Sequence, residues 1–256
     1  MKRIKVSREH TPRRILKVLA VYGVLVAALV GFLNPENPDP DAGAIVYMGL
    51  SLIAIWCVLG GAIMYTNRAR FVRWARSLEI VWKVRFVLLS IGFALIEEAV
   101  TTSLTNLAPH FGAVSAAARI TVSTNYFVTM SNSVLAFIPW FICWAWMLGR
   151  YDFKPLEVML LFGLTGLFAE STLDSIVNPE DLAGIGMWVY IYGLIVYLPA
   201  LTVPQSRDVK PVRWYHIPVA VFLPMVFIFP LGIYLIAATI GRFARGLRAI
   251  LLPSTE

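Results

Sequence analysis

Glu97 and Glu98 stand side by side in a run of residues otherwise suited to the interior of a bilayer. Thr101 and Thr102 follow, and Thr105 and Asn106 lie just beyond. At helical spacing Glu98, Thr102 and Asn106 share one face, with Glu97, Thr101 and Thr105 on the strip beside it. A charge within a membrane span costs about 2.5–3.5 kcal/mol on insertion scales, so an ionisable residue there points to function. Two adjacent carboxyls in a dry site cannot both stay ionised. One takes up a proton, or a cation sits between them. The first outcome supplies a general acid or base, or a proton carrier. The second is a hard-cation site of the kind that carboxylate and amide oxygens suit.

Two further stretches carry polar residues at matching depth. Asn125, Thr129 and Asn132 recur at i, i+4 and i+7, with Ser131 and Ser133 beside the last. Gly163 and Gly166 lie on a stripe that continues into Glu170 and Asp174, and small residues there would let a neighbouring helix approach closely. Counted along each helix from its basic end, the acidic pair lies about 18–20 Å in, Asn132 about 25 Å and Glu170 about 24 Å. The residues expected to carry chemistry are therefore Glu97, Glu98, Asn132 and Glu170. Thr101, Thr102, Asn125, Thr129 and Asp174 are expected to contact a substrate. A divalent cation, if one is held, would use Glu97, Glu98 and Glu170. Each has a plainer role open to it. Glu170 and Asp174 stand where an outer loop would begin, Asn125 and Thr129 could be interfacial, and Asn132 could join helices by hydrogen bonds. His10, His110 and His216 lie outside the most apolar runs, and Cys57 and Cys143 have no CxxC partner, so haem, nucleotide and zinc signals are absent.

A Glu-Glu pair in a span, answered by a polar residue on the next helix, resembles the CAAX-prenyl-protease and bacteriocin-processing membrane proteases. In that family the pair opens a Glu-Glu-x-x-x-Arg motif, and histidine and asparagine on later helices complete a water-activating site. Here the motif reads Glu97-Glu98-Ala99-Val100-Thr101-Thr102, without the arginine, and the later spans hold no histidine. The resemblance would put Asn132 in the place of the second-helix histidine, where an amide cannot act as a base.

The elements that must position these residues follow from composition. Of 256 residues, 59% are apolar or aromatic and 14% charged, against about 45–50% and about 25% in an ordinary soluble domain. That excludes a soluble globule, a disordered chain, a fibre and a disulfide scaffold, and leaves an all-α polytopic transmembrane bundle forming a single integral membrane domain over residues 1–256. Seven stretches are apolar for long enough: 15–33, 45–65, 86–104, 121–148, 155–169, 185–203 and 217–241. About seven spans are expected, with six to eight as the range. The net charge is +7, and its placement in loops speaks for membrane orientation, with no nucleic acid as partner. Lys and Arg number 18 on one set of alternating segments against one, Arg119, on the other, so the N-terminus is expected to be cytoplasmic and the protein to lie in the cell membrane. Residues 66–85 place Phe71, Trp74, Leu78 and Trp82 between arginines, as in a basic amphipathic helix on the cytoplasmic leaflet. Pro218, Pro224 and Pro230 interrupt the last stretch, ahead of a basic tail over residues 242–256. It reads as a kinked span or a re-entrant hairpin.

Three function classes fit these features. One is a membrane-embedded enzyme acting on a lipid, isoprenoid or peptide substrate. Another is a proton- or cation-coupled carrier, and the third a non-catalytic scaffold or complex subunit whose polar knot specifies helix packing. Membrane lipids are the expected partners in every case.

Overall fold

A computed structural model describes residues 10–36, 38–173 and 184–226. Those residues form helices joined by loops, and among them there is no strand beyond an isolated bridge between Tyr151 and Lys210. The helices are α1 (His10–Leu33), α2 (Pro40–Ser77), α3 (Trp82–Asn106), α4 (Tyr126–Leu148), α5 (Pro155–Leu173), α6 (Ile185–Thr202) and α7 (His216–Val226). Four are long and apolar enough to cross a membrane: α1, α2, α4 and α6. The expected third and fifth spans appear as α3 and α5, which carry the Glu97-Glu98 pair and Glu170 and stand outside that set. The seventh stretch is described only through Val226; its remainder, the basic tail 242–256 and Asp174 lie outside the described residues.

Caps explain where two helices begin. Asp39 accepts from the Asp41 N–H ahead of Pro40 at the first position of α2. Asn125 accepts from the Phe127 and Val128 N–H groups at the start of α4. The helix expected over 121–148 therefore starts at Tyr126, and the residues before it belong to the long α3–α4 loop.

Between Pro40 and Ser77 nothing breaks the helix. The paired Gly60 and Gly61 are taken up at the end of a π-helical segment, Ile53–Gly60. Just beyond, Thr66 Oγ1 donates to the Ala62 carbonyl (2.8 Å) and Asn67 Nδ2 to the Ile63 carbonyl (2.9 Å), which holds these polar side chains against their own helix. The basic stretch expected as a separate surface helix over 66–85 is thus divided: its first part prolongs α2, and its end opens α3 at Trp82. At 38 residues α2 is about 57 Å long, well beyond a hydrocarbon core of about 30 Å.

Helix α6 is the central post. Seventy-two per cent of its apolar window is buried, against 6% for α1. It packs along α5 and also touches α1, α2 and α3. The α5–α6 contact is close because α5 presents glycine. A Cβ on Gly163 would lie 2.4 Å from the Val189 carbonyl oxygen, and one on Gly166 would lie 2.2 Å from the Tyr192 ring. The stripe of small residues read from the sequence therefore faces a neighbouring helix. The lower end of α6 is closed by cations: Arg76 and the buried Arg85 donate to the Thr202 carbonyl at 3.4 and 3.3 Å, where the helix dipole is negative.

Helix α3 buries more polar side chains than a helix of a soluble protein would, alongside Phe86, Ala94 and Leu104. Its buried face holds Ser90, Glu97, Glu98, Thr101, Thr102 and Thr105, while Leu88 and Ile96 are exposed. Water would reward the opposite arrangement.

Candidate active site

The polar face of α3 looks into a cavity of about 820 Å3. Glu97, Glu98 and Thr101 line it from α3, Thr129, Ser133 and Phe137 from α4, Glu170 from α5, and Trp188 and Tyr192 from α6. The opposite wall is apolar and comes from α1 and α2, through side chains such as Val30, Ile45, Leu50 and Ile53. The α3–α4 loop closes one end with residues 119–122, including Arg119.

The two neighbouring carboxyls are held differently. Glu98, 6% exposed, has Thr101 Oγ1 3.4 Å from its Oε2 and the Ser133 hydroxyl within hydrogen-bonding reach from α4. Glu97, 5% exposed, makes no hydrogen bond or ion pair through its carboxyl among the described residues, and Glu98 and Glu170 both lie near enough to repel it when charged. Across the cavity the Tyr192 hydroxyl donates to Glu170 Oε1. The Tyr192 ring is fixed by stacking on Trp188 (5.9 Å between centroids) and by an edge contact with Phe137 (5.8 Å).

Of the residues expected from sequence, Glu97, Glu98, Thr101, Thr129 and Glu170 are brought together here. Three others are placed elsewhere. Thr102 is buried beside the pair, but among the described residues its hydroxyl has no partner, and it does not line the cavity. Asn132 is exposed and donates to the Val128 carbonyl of its own helix at 2.7 Å. Asn125 is the exposed N-cap of α4. Among the described residues no group of three or more His, Cys, Asp or Glu side chains could hold a metal ion, so Glu97, Glu98 and Glu170 do not converge as a three-carboxylate metal site.

Tyr192 and Arg119 also line the cavity without having been singled out by spacing, and Ser133, noted only beside Asn132, lines it where Asn132 does not. A tyrosine in an aromatic-rich span reads as belt or packing until a carboxylate is seen opposite it. The stripe Thr129, Ser133, Phe137 runs at strict i, i+4, i+8 spacing. Asn132 is one position off that stripe, about 100° round the helix.

The roof is fastened at several points. Asp41, on the first turn of α2, accepts from the Val114 N–H (2.8 Å), the Ser115 N–H (3.1 Å) and the Ser115 hydroxyl. Asn106 Nδ2 donates to the Thr124 carbonyl (2.9 Å), and Thr129 Oγ1 to the Ser123 carbonyl (2.9 Å). The Ile120 N–H donates to Thr105 Oγ1 at 3.3 Å. Comparison with protein families, with curated proteins and with solved structures finds no match for this chain, so the likeness to the prenyl-protease motif rests on the Glu97-Glu98 pair alone.

Proposed function

We propose that this is a multi-pass protein of the cell membrane, with about seven spans and a cytoplasmic N-terminus, that acts as a membrane-embedded enzyme on a lipid, isoprenoid or peptide substrate. The observation that carries this reading is the Glu97 carboxyl: buried, without a partner among the described residues, and lining a cavity beside a second carboxyl that is held in place. Helix packing alone gives no reason to leave such a group unpaired, because an unsatisfied buried charge is strongly destabilising. A cavity of this size is within the range of small-molecule sites, about 300–1,000 Å3.

In this reading Glu97 takes or gives a proton at the reacting group. Glu98, oriented by Thr101 and Ser133, serves as its counterpart. Tyr192, donating to Glu170, presents a second proton-bearing group from the far wall. The apolar wall of α1 and α2 receives the hydrocarbon part of the substrate. The run of polar side chains that α3 buries, with Leu88 and Ile96 exposed, supports its lying within the membrane.

Native mass spectrometry of the purified protein tests the reading. Wild type is expected to carry a lipid-like or isoprenoid ligand that the Glu97→Gln/Glu98→Gln variant lacks, at an unchanged melting temperature. Identical spectra, or a variant that no longer folds, would overturn it in favour of a structural knot.

A further inference from the structure

The chemistry of the cavity specifies its occupant more narrowly, on the premise that the site is the one proposed above. Three carboxylates line it, Glu97, Glu98 and Glu170, against a single basic side chain, the exposed Arg119 of the roof. The ion pairs found among the described residues belong to Asp152, with Lys154 and Arg207, so no lysine or arginine neutralises the acidic wall by direct contact. Glu97 has both carboxyl oxygens free of hydrogen bonds among the described residues while 5% exposed. A buried carboxyl in that condition is kept neutral by a proton or is matched by a cation. A metal ion is disfavoured by the geometry, because no three acidic, histidine or cysteine side chains converge among the described residues. An ammonium group needs no such shell. It carries three donors and is served by two carboxylates and nearby hydroxyls such as those of Thr101 and Ser133.

The opposite wall is shaped for hydrocarbon. Val30, Ile45, Leu50 and Ile53 form it, and Gly49 stands among them with nothing within 4 Å of an added Cβ. Open apolar volume thus runs beside the acidic wall. We infer that the cavity binds an amphiphile bearing a protonated amine, with the ammonium against Glu97 and Glu98 and the apolar chain along the α1–α2 wall past Gly49.

The test is binding of octylamine, octanol, octanoate and butylamine to the full chain in lipid nanodiscs. Octylamine is expected to bind at least about tenfold more tightly than octanol or octanoate, the scale of one charge-assisted hydrogen bond. Glu97→Gln/Glu98→Gln is expected to erase that preference. Gly49→Phe is expected to weaken octylamine and spare butylamine, and Gly49→Leu, a milder plug, to do so in part; melting curves check that each variant folds. Equal binding of amine, alcohol and acid to wild type overturns the amine head, as does a preference that survives in the double glutamine variant. With Gly49→Phe still weakening all the eight-carbon ligands, the cavity itself would stand and only the head-group assignment would fall. Binding untouched by Gly49→Phe would put the ligand outside the cavity and remove the enzyme site along with the inference. Absence of octylamine binding to wild type overturns the inference outright.

Discussion

Glu170 and Tyr192 come from different helices and meet through a hydrogen bond, so their energies should be coupled. Tyr192→Phe keeps the ring contacts with Trp188 and Phe137 and removes only the hydroxyl. It is expected to lower stability by about 0.5–1.5 kcal/mol. A double-mutant cycle with Glu170→Gln is expected to show a coupling of at least about 0.5 kcal/mol. Additive losses in denaturant unfolding would mean that the bond contributes nothing. The acidic pair was legible in the sequence because adjacent charges in an apolar run have no cheap explanation. Tyr192 was not, because its role depends on a carboxylate 22 positions away that only folding brings near. Asn132 shows the limit of spacing arguments. It shares a broad polar face with Thr129, yet the cavity lies on the Ser133 side of that face, and only a neighbouring helix decides which edge is used.

At the scale of elements, the α5–α6 seam sets the position of Glu170 and Tyr192 together. Gly166→Leu would drive side-chain atoms into the Tyr192 ring, and Gly163→Leu into the backbone at Val189. Each is expected to cost about 1–3 kcal/mol or more, because neither obstacle is the free end of a flexible chain. A melting temperature unchanged in Gly163→Leu would show that the helices can separate without loss. Each of the seven described helices overlaps an apolar run read from the sequence, four of them long and apolar enough to cross a membrane, and the glycine stripe identified the tight seam. Less was visible at the boundaries. Asn125 reads as one of three polar residues on a face until its cap hydrogen bonds show that α4 starts behind it. The arginines of 66–85 suggested a new element because their polarity ends the apolar pattern. A helix without proline or an unbonded polar side chain has no reason to stop there, and it runs on to Ser77.

For the whole molecule, the exposed surface itself is informative. Val21, Leu25, Leu29 and Phe32 of α1 are exposed, the last at 80%, and a protein surrounded by water would cover such a stripe. If the N-terminus is cytoplasmic, Ala116 and Ser206, both exposed, lie on opposite sides of the membrane. In a background carrying Cys57→Ala and Cys143→Ala, an impermeant maleimide added to intact cells is expected to label Ala116→Cys and to leave Ser206→Cys unlabelled until the cells are opened. The reverse pattern would invert the orientation.

The anchorage of the α3–α4 loop on Asp41 has a kinetic corollary. Asp41 ties the α3–α4 loop, which lines one end of the cavity, to the first turn of α2, so that end opens only when these bonds break. Asp41→Ala should undo the tie. Hydrogen exchange at Val114 and Ser115 is then expected to accelerate by about tenfold or more, as each loses its acceptor. Exchange as slow as in wild type would show that the remaining ties hold the ceiling alone. A loosened ceiling would also admit bulk water to Glu97 and Glu98, which the intact chain leaves only 5% and 6% exposed.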